Sequence, residues 1–308
     1  MGLHIILYVS PFLTLNFQLL IFNFQLSTLN SQLSTLLYSP IGIFDSGYGG
    51  LTILEKIRRV LPEYDYIYLG DNARTPYGTR SFDIVYQFTV EAVRRLFEMN
   101  CKLVILACNT ASAKALRTIQ QNDLLQIDPY RRVLGVIRPT IESIGVITQT
   151  RHVGLVGTQG TITSKSYPLE IAKLFPDIAV EEEACPMWVP LVENYEYDKP
   201  GADYFVQKHL NNILDRDPFI DTLILGCTHY PFLEPKIRQF LPENIQIVSQ
   251  GHYVAESLKD YLQRHPEMDA VCSKNNVCEY FTTESPEKFS ETASIFLQEK
   301  IQAKQLHY

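Results

Sequence analysis

Leu103-Val104-Ile105-Leu106-Ala107-Cys108-Asn109-Thr110-Ala111-Ser112-Ala113 places a thiol where an apolar run gives way to small polar residues. The apolar residues Leu103 to Leu106 predict a strand buried on both faces, as in a parallel sheet, and the residues from Ala111 onward have helical spacing. Cys108 is therefore predicted at the carboxyl end of a strand, where open α/β sheets bind ligands and where a following helix N-terminus favours a thiolate. A buried core cysteine is the alternative, since free cysteines are commonly buried.

A second stretch, Leu223-Ile224-Leu225-Gly226-Cys227-Thr228-His229-Tyr230-Pro231, has the same order of apolar strand, small residue, thiol and polar turn. Residues 152–164 likewise parallel residues 40–52, with a strand, a glycine-rich turn and a helix start. This internal repeat predicts an α/β fold of two pseudo-symmetric βα domains, with mainly parallel sheets facing a shared central cleft. We expect one domain to comprise residues 40–135 plus 250–308 and the other residues 136–249, with the two thiols on opposite sides of a bound substrate.

Composition narrows the class of protein. The chain has 308 residues, 46% of them hydrophobic and 20% charged, which is typical of a soluble globular protein long enough for two domains. Its net charge of -7 argues against a general nucleic-acid or anionic-membrane binder, because those proteins need a basic surface. The cysteines show neither a dense disulfide spacing nor a zinc-site spacing, so we expect reduced thiols and no metal. They are Cys101, Cys108, Cys185, Cys227, Cys272 and Cys278.

The first 39 residues differ from the rest, because no Asp, Glu, Lys or Arg occurs before residue 40. Phe17-Gln18-Leu19, Phe24-Gln25-Leu26 and Ser31-Gln32-Leu33 repeat at seven-residue spacing, but a coiled coil would need more heptads and charged flanks. A signal peptide would need a basic start, and a membrane span would not carry so many Asn and Gln residues. We expect residues 1–39 to be a low-complexity extension outside the fold, compatible with a mis-assigned translation start.

Further candidates lie in the loops that follow predicted strands. Asp45 precedes a glycine turn that does not fit the dinucleotide pattern GxGxxG, so it either caps the turn or accepts and orients a proton. The loop over residues 70–80 carries Arg74 and Arg80, for which solvent exposure and substrate contact are both open. Glu193 ends an apolar segment and is either a surface residue or a carboxylate of the cleft, whereas Cys185 has no partner motif and is expected to be structural.

These motifs together resemble the glutamate racemases of the cofactor-independent aspartate/glutamate racemase superfamily, from residue 41 to about residue 251. The motifs that carry the resemblance are Phe44-Asp45-Ser46-Gly47 with Gly49-Gly50-Leu51-Thr52, Gly70-Asp71 with Ala73-Arg74 and Pro76-Tyr77-Gly78, Ala107 to Ala113, Val189 to Glu193, and Leu225 to Pro231. The extension before Pro40 does not belong to this pattern, and Ser249 stands where many members have an acidic residue.

The resemblance implies interconversion of L- and D-glutamate by a cytoplasmic, homodimeric enzyme that supplies D-glutamate for peptidoglycan. It implies that Cys108 and Cys227 are the two catalytic bases, the first assisted by Asp45 and the second by Glu193 and His229. The residues that match the family's substrate-binding positions are Asp45, Ser46, Tyr77, Gly78, Asn109, Thr110, Thr228 and His229.

The chemistry explains why two thiols suit such a reaction. One base must remove the Cα proton from one face while an acid returns a proton to the other, and a thiolate with a pKa near the working pH serves as a general base. Nothing resembles a pyridoxal Schiff-base site, so we expect no cofactor and a carbanion stabilised by oriented donors. The side-chain donors expected are Ser46, Asn109, Thr110 and Thr228.

Three other functions stay open at this point. A racemase of aspartate would use the same two thiols, so the residues alone do not choose the substrate. A cysteine hydrolase would need one nucleophile with a His and an Asp or Asn, and the duplicated cysteine turn argues against it. A binding protein that engages another enzyme would not explain the paired thiols.

Overall fold

Parallel strands pair into two sheets in the computed structural model, which describes residues 38–308. The extension predicted over residues 1–39 therefore lies outside the described residues, apart from its last two. The strands are β1 (Ile41–Asp45), β2 (Tyr66–Gly70), β3 (Leu103–Leu106), β4 (Arg132–Gly135), β5 (His152–Gly157), β6 (Ala179–Ala184), β7 (Thr222–Gly226), β8 (Gln246–Val248), β9 (Cys278–Thr282) and β10 (Ala303–Gln305).

The first sheet has six strands in the order β10-β9-β2-β1-β3-β4, and the second has four in the order β6-β5-β7-β8. Every pairing in both sheets is parallel. In the first sheet, the strand before the glycine turn (β1) lies beside the strand before Cys108 (β3). In the second sheet, β5 and the strand before Cys227 (β7) have the same relation. The repeat in the sequence thus corresponds to a repeat in strand order, and the predicted α/β class is confirmed.

Helices cover both faces of each sheet, as the fully buried central strands require. In chain order they are α1 (Leu51–Val60), α2 (Phe82–Glu98), α3 (Asn109–Lys114), α4 (Leu116–Thr118), α5 (Leu124–Ile127), α6 (Ile137–Ile147), α7 (Gln159–Ser164), α8 (Ser166–Leu174), α9 (Trp188–Glu193), α10 (Pro200–Arg216), α11 (Glu234–Phe240), α12 (Gln250–Arg264), α13 (Pro266–Val271) and α14 (Pro286–Leu297), with a π-helical turn at Ile119–Asp123 and a 3₁₀ turn at Tyr230–Leu233.

Two apolar clusters pack on each sheet. On the first sheet, α1, α12 and α14 pack on one face and α2 packs with the helical segment after Cys108 on the other. On the second sheet, α10 and α11 cover one face and α6 and α8 the other. Helix α2 illustrates the local cause, because Ser81 caps its first turn by accepting from the Ile84 N–H, and apolar residues at positions 85, 92, 93 and 96 are buried.

The structure corrects three boundaries. The apolar residues 133–137 predict one strand, but β4 ends at Gly135, because Ile137, Ile141 and Ile144 form the buried stripe of helix α6. The helix predicted from Ala111 begins two residues earlier, so that Cys108 itself is its N-cap. The charged residues of the tail predict a terminal helix, which is present as α14, but strands β9 and β10 flank it and extend the first sheet.

All of these elements lie in one compact unit, Pro40–Tyr308. Within residues 38–308, no helix is both long and apolar enough to cross a membrane.

Candidate active site

Cys108 occupies the junction between β3 and helix α3. Its Sγ accepts a hydrogen bond from the Ala111 N–H at 3.5 Å and shares one with the Ser46 hydroxyl at 3.4 Å. Only 5% of the residue is exposed, and burial, together with the charge of Asp45, raises the pKa of the thiol to about 12. The helix N–H and Ser46 act in the opposite direction, as expected from the sequence, but burial outweighs them. Cys108 is therefore a protonated thiol at neutral pH in this state.

Asp45 lies at the end of β1, the strand next to β3, and its side chain is fully buried. Its Oδ2 accepts the Gly47 N–H at 2.9 Å, so the cap predicted from the sequence is present. Burial raises the pKa of Asp45, and the charge of His229 and the N–H groups of Gly47 and Gly50 offset part of that rise. A buried carboxyl with a raised pKa can hold a proton, which suits a group that exchanges one with a neighbouring thiol.

Cys227 has a different environment at the end of β7. Its Sγ lies 3.9 Å from Nδ1 of His229, whose Nε2 lies 3.2 Å from Oε1 of Glu193. Burial alone would lower the pKa of His229, but the hydrogen bonds to Cys227 and Glu193 and their charges raise it to about 10. The ring is therefore an imidazolium at neutral pH, and it places a positive charge beside the Cys227 sulfur.

Direct contacts join the glycine turn of the first sheet to the turn after Cys227. The Thr228 hydroxyl donates to Oδ1 of Asp45 at 3.4 Å, and the Thr228 carbonyl accepts from the Thr52 hydroxyl at 3.1 Å. Gly49 lies so close that a Cβ there would approach the Thr228 hydroxyl to 2.3 Å and Nδ1 of His229 to 2.5 Å. The turn of the first sheet thus packs against the turn of the second, and only a glycine fits at this point.

A cluster of hydroxyls lies beside the first thiol. Thr110, the second residue after Cys108, shares hydrogen bonds with Thr158 at 2.9 Å and with Thr161 at 3.5 Å. The Gly78 carbonyl accepts from the Gly160 N–H at 2.7 Å, and a Cβ on Gly78 would lie 2.9 Å from Thr158. Thr110 and Gly78, both predicted substrate-binding positions, are thereby brought to the glycine turn of the second sheet.

The side chains of Asn109 and Tyr77 are both held by hydrogen bonds to other side chains. Tyr77 donates its hydroxyl to Asp71, and its ring packs near Phe44 and Phe88 with centroids 6.2 and 5.7 Å away. Only the backbone at Tyr77 is left for a ligand. Asn109 accepts from the Tyr167 hydroxyl at 2.7 Å and donates to Gln250 at 2.5 Å.

The two arginines of the loop over residues 70–80 have structural or solvent-facing positions. Arg74 pairs with Asp71 at 2.7 Å and with Glu91, and its guanidinium stacks between Phe88 and Tyr308. Arg80 is exposed. The charge of Arg74 is thus paired with two carboxylates of the protein.

Sequence reasoning missed four residues around the site. Thr158 and Thr161 could have been found, because they belong to the glycine turn that echoes the first one. Tyr167 and Gln250 carried no signal, since they meet Asn109 across 58 and 141 positions of the chain. Among residues 38–308, no group of three His, Cys, Asp or Glu side chains is arranged to hold a metal ion.

Two buried thiols at matching strand ends, one beside a carboxyl and a hydroxyl and the other beside an imidazolium, are typical of isomerases that move a proton with paired acid and base groups. The chain belongs to the Asp/Glu/Hydantoin racemase family, whose sequence profile matches residues 46–279. The resemblance found in the sequence is thereby confirmed.

Individual relatives agree with this assignment. A glutamate racemase from Roseobacter denitrificans is 39% identical over 276 residues, which cover 85% of this chain and 98% of that protein. The crystal structure of a glutamate racemase isoform from Bacillus anthracis is 35% identical, with a TM-score of 0.78 over 87% of this chain and 97% of that one. The glutamate racemase from Francisella tularensis in complex with D-glutamate is 31% identical, with a TM-score of 0.76 over 88% of this chain and 97% of that one.

Proposed function

We propose that this chain interconverts L-glutamate and D-glutamate by proton transfer between Cα and two cysteines. The observation that carries the proposal is the chain of contacts between the two thiols. It runs from Cys108 through Ser46 and the adjoining Asp45 to Thr228, and then to Cys227. The relatives named glutamate racemase support the choice of substrate.

The proposed resting state follows from the charges around each thiol. His229 is an imidazolium 3.9 Å from the Cys227 sulfur, so the proposal assigns the role of base to Cys227. Cys108 keeps its proton and is ready to act as an acid. The Cα–H bond breaks as an S–H bond forms at Cys227, and the S–H bond of Cys108 breaks as a new Cα–H bond forms on the other face. Negative charge thus passes from one sulfur to the other.

The state that follows turnover, with Cys108 a thiolate and Cys227 a thiol, is the one from which the reverse reaction starts. Another turnover in the same direction first requires that Cys108 regain a proton and that Cys227 release its proton to solvent. The buried Asp45 carboxyl, whose pKa is raised by burial, is proposed to give its proton to Cys108 and to regain one from solvent. Glu193 holds the His229 ring beside the second thiol. In this proposal Asp45 serves the first base, and His229 with Glu193 serves the second.

Oriented donors rather than a cofactor would stabilise the carbanion in this proposal. The hydroxyls of Thr110, Thr158 and Thr161 form one donor cluster, which packs against the backbone at Gly78. Neutral donors held in place by the fold bind the two carboxylates of glutamate without a net positive surface. Ser46, Asn109 and Thr228, with the backbone at Tyr77, complete the proposed substrate contacts.

The wider setting is part of the same proposal. The two sheets would belong to two domains, residues 40–135 plus 250–308 and residues 136–249, that face one substrate cleft. The enzyme would act as a homodimer in the cytoplasm and supply D-glutamate for peptidoglycan. Sedimentation of the purified chain at several concentrations tests the dimer directly.

The activity is tested by loss of Cα protium from L-glutamate in deuterated water, followed by chiral analysis of the product. We expect the wild-type chain to form deuterated D-glutamate, and Cys108→Ala and Cys227→Ala each to lose racemisation by at least about 10³-fold, since each removes an acid–base group. If the Cα hydrogen of L-aspartate exchanges and that of L-glutamate does not, the proposed substrate is wrong. If neither amino acid exchanges, the proposed racemase activity fails.

A further inference from the structure

Three buried side chains form a closed hydrogen-bonded ring next to Cys108. Asn109 Nδ2 donates to Oε1 of Gln250 at 2.5 Å, Gln250 Nε2 donates to the Tyr167 hydroxyl at 2.7 Å, and that hydroxyl donates to Oδ1 of Asn109 at 2.7 Å. All three residues are at most 2% exposed. Unpaired polar groups in such a place would be costly, so the ring is a constraint on each member.

The direction of every bond in the ring is fixed by its neighbours. The Thr140 hydroxyl donates to the Val136 carbonyl at 3.0 Å, so its oxygen can only accept from Gln250, which lies 3.2 Å away. The amide nitrogen of Gln250 must then face Thr140 and Tyr167, and its oxygen must face Asn109. As a result, the Asn109 oxygen is held by Tyr167, and one of its two Nδ2 hydrogens is held by Gln250.

Gln250 lies between the two cysteine turns. It is the first residue of helix α12, which follows β8 of the second sheet. It lines a cavity of about 260 Å³ together with Cys227 and Thr228, while its side chain holds the residue that follows Cys108. A change at Gln250 therefore reaches the substrate position at Asn109 without removing either thiol.

We propose that Gln250 is a positioning residue that, with Tyr167, fixes the Asn109 carboxamide so that its second N–H is presented to a carboxylate of the substrate. The ring determines the polarity of this position, because an Asn109 side chain free to rotate could also present its oxygen, which repels a carboxylate. The inference rests on the proposed racemisation of glutamate, since it assigns a role within that same site.

The first test compares Gln250→Leu with the wild type. Leucine keeps most of the side-chain volume. It removes the acceptor of the Asn109 N–H and the N–H that donates to the Tyr167 hydroxyl. We expect KM for L- and D-glutamate to rise about 10-fold with kcat within about threefold, because a bond made in both the bound and transition states contributes uniform binding. Tyr167→Phe should raise KM similarly. The double variant should be little worse than either single variant, because both act through Asn109.

A pH profile of Gln250→Glu separates positioning from simple loss of packing. A protonated glutamic acid has one O–H donor and one acceptor and can replace the amide, whereas the ionised form only accepts and draws the Tyr167 hydrogen away from Asn109. The titratable groups nearby are Tyr167, Cys227, Glu55 and Lys56, with His252 on the same helix. We expect kcat/KM relative to wild type to rise as pH falls from about 9 to 6, with no such recovery in Gln250→Leu.

Gln120→Leu is the matched control, since Gln120 donates to the Val133 carbonyl at 2.7 Å away from the ring. Its KM should stay at the wild-type value. The proposal is overturned if KM of Gln250→Leu stays within twofold of wild type, or if the relative pH profile of Gln250→Glu is flat. If the wild-type chain does not racemise glutamate, the proposed function and this inference are overturned together. If the wild type racemises glutamate and Gln250→Leu has an unchanged KM, this inference alone is overturned.

Discussion

The turn after Cys108 and the turn after Cys227 share a place in the fold but differ in chemistry. Each follows a parallel strand that lies beside the strand of a glycine turn. Cys108 caps an α-helix and lies beside Ser46 and the buried Asp45, with no cation among its described hydrogen-bond partners. Cys227 instead lies beside His229, which Glu193 holds in place.

This difference shows that two copies of one structural motif can place different neighbouring groups beside their cysteine thiols. A helix N-terminus and a hydroxyl do not offset the burial of Cys108, whereas an imidazolium supplies a full charge beside Cys227. Because a racemase has an equilibrium constant near one, kcat/KM must stay equal in the two directions whichever turn is altered. The asymmetry should therefore appear in pH profiles rather than in a preference for one enantiomer.

The largest effects are expected from removing the partner of each thiol. His229→Asn removes the imidazolium beside Cys227, and kcat/KM should fall by about 10²–10³-fold at pH 8. The variant should recover relative to wild type as pH rises through about 10, where the wild type loses the same charge. Asp45→Asn should lower kcat by about 10²-fold without that recovery, because the amide cannot exchange a proton with Cys108. Rates of racemisation of the two variants and the wild type, measured between pH 6 and 10, test both predictions. Identical pH profiles for the two variants would contradict the asymmetry.

A smaller effect is expected where the glycine turn of the first sheet touches the turn after Cys227. Gly49→Ala would place a Cβ 2.3 Å from the Thr228 hydroxyl and 2.5 Å from His229, so both must move. We expect kcat/KM to fall by about 30–100-fold, equivalent to about 2–3 kcal/mol. Gly201→Ala is the control, since nothing lies within 4 Å of a Cβ there and alanine favours helix α10 by about 0.5–1 kcal/mol. A fully active Gly49→Ala would show that this contact does not position the site.

The sequence predicted the parts of the site that depend on local order. An apolar run followed by a thiol and small polar residues was enough to locate Cys108 at a strand end, and the second copy did the same for Cys227. The α/β class and the racemase family are confirmed. Strand β9 and the terminal strand β10 were missed, because neither has the continuous apolar run that predicts a central strand.

Contacts between distant residues could not be predicted in this way. The ring of Asn109, Tyr167 and Gln250 depends on packing of α3, α8 and α12, and a Gln at a helix start carries no signal of its own. The raised pKa of His229 also depends on geometry. The family resemblance assigns Glu193 and His229 to the second cysteine, but the 3.2 Å contact between Glu193 and the ring is visible only in the structure.

The charge at His229 should also be visible in stability. Its pKa of about 10 in the folded chain lies above the value of about 6.5 for an unfolded histidine. Protonation therefore stabilises the fold fully below about pH 6.5, and this contribution is lost as pH rises through about 10. The free energy of unfolding of wild type minus that of His229→Asn should be about 2 kcal/mol at pH 6.5 and should shrink by pH 10.5. Urea titrations at both pH values measure it, and a constant difference would contradict a charged ring.

The smallest effect is expected at a third buried thiol, Cys185, which lies near Cys227 but outside the proposed proton path. Its backbone N–H donates to the Gly157 carbonyl at 2.9 Å, and burial raises the pKa of its thiol well above the ordinary value. Cys185→Ala should cost about 1 kcal/mol in unfolding free energy, through lost packing, and leave kcat/KM within twofold of wild type. Urea denaturation and racemisation rates test the two parts separately. A 10-fold loss of activity would mean that the turn after Cys227 depends on the Cys185 sulfur, for which the turn after Cys108 has no counterpart. The two turns would then differ in a third sulfur as well as in the partners of their thiols.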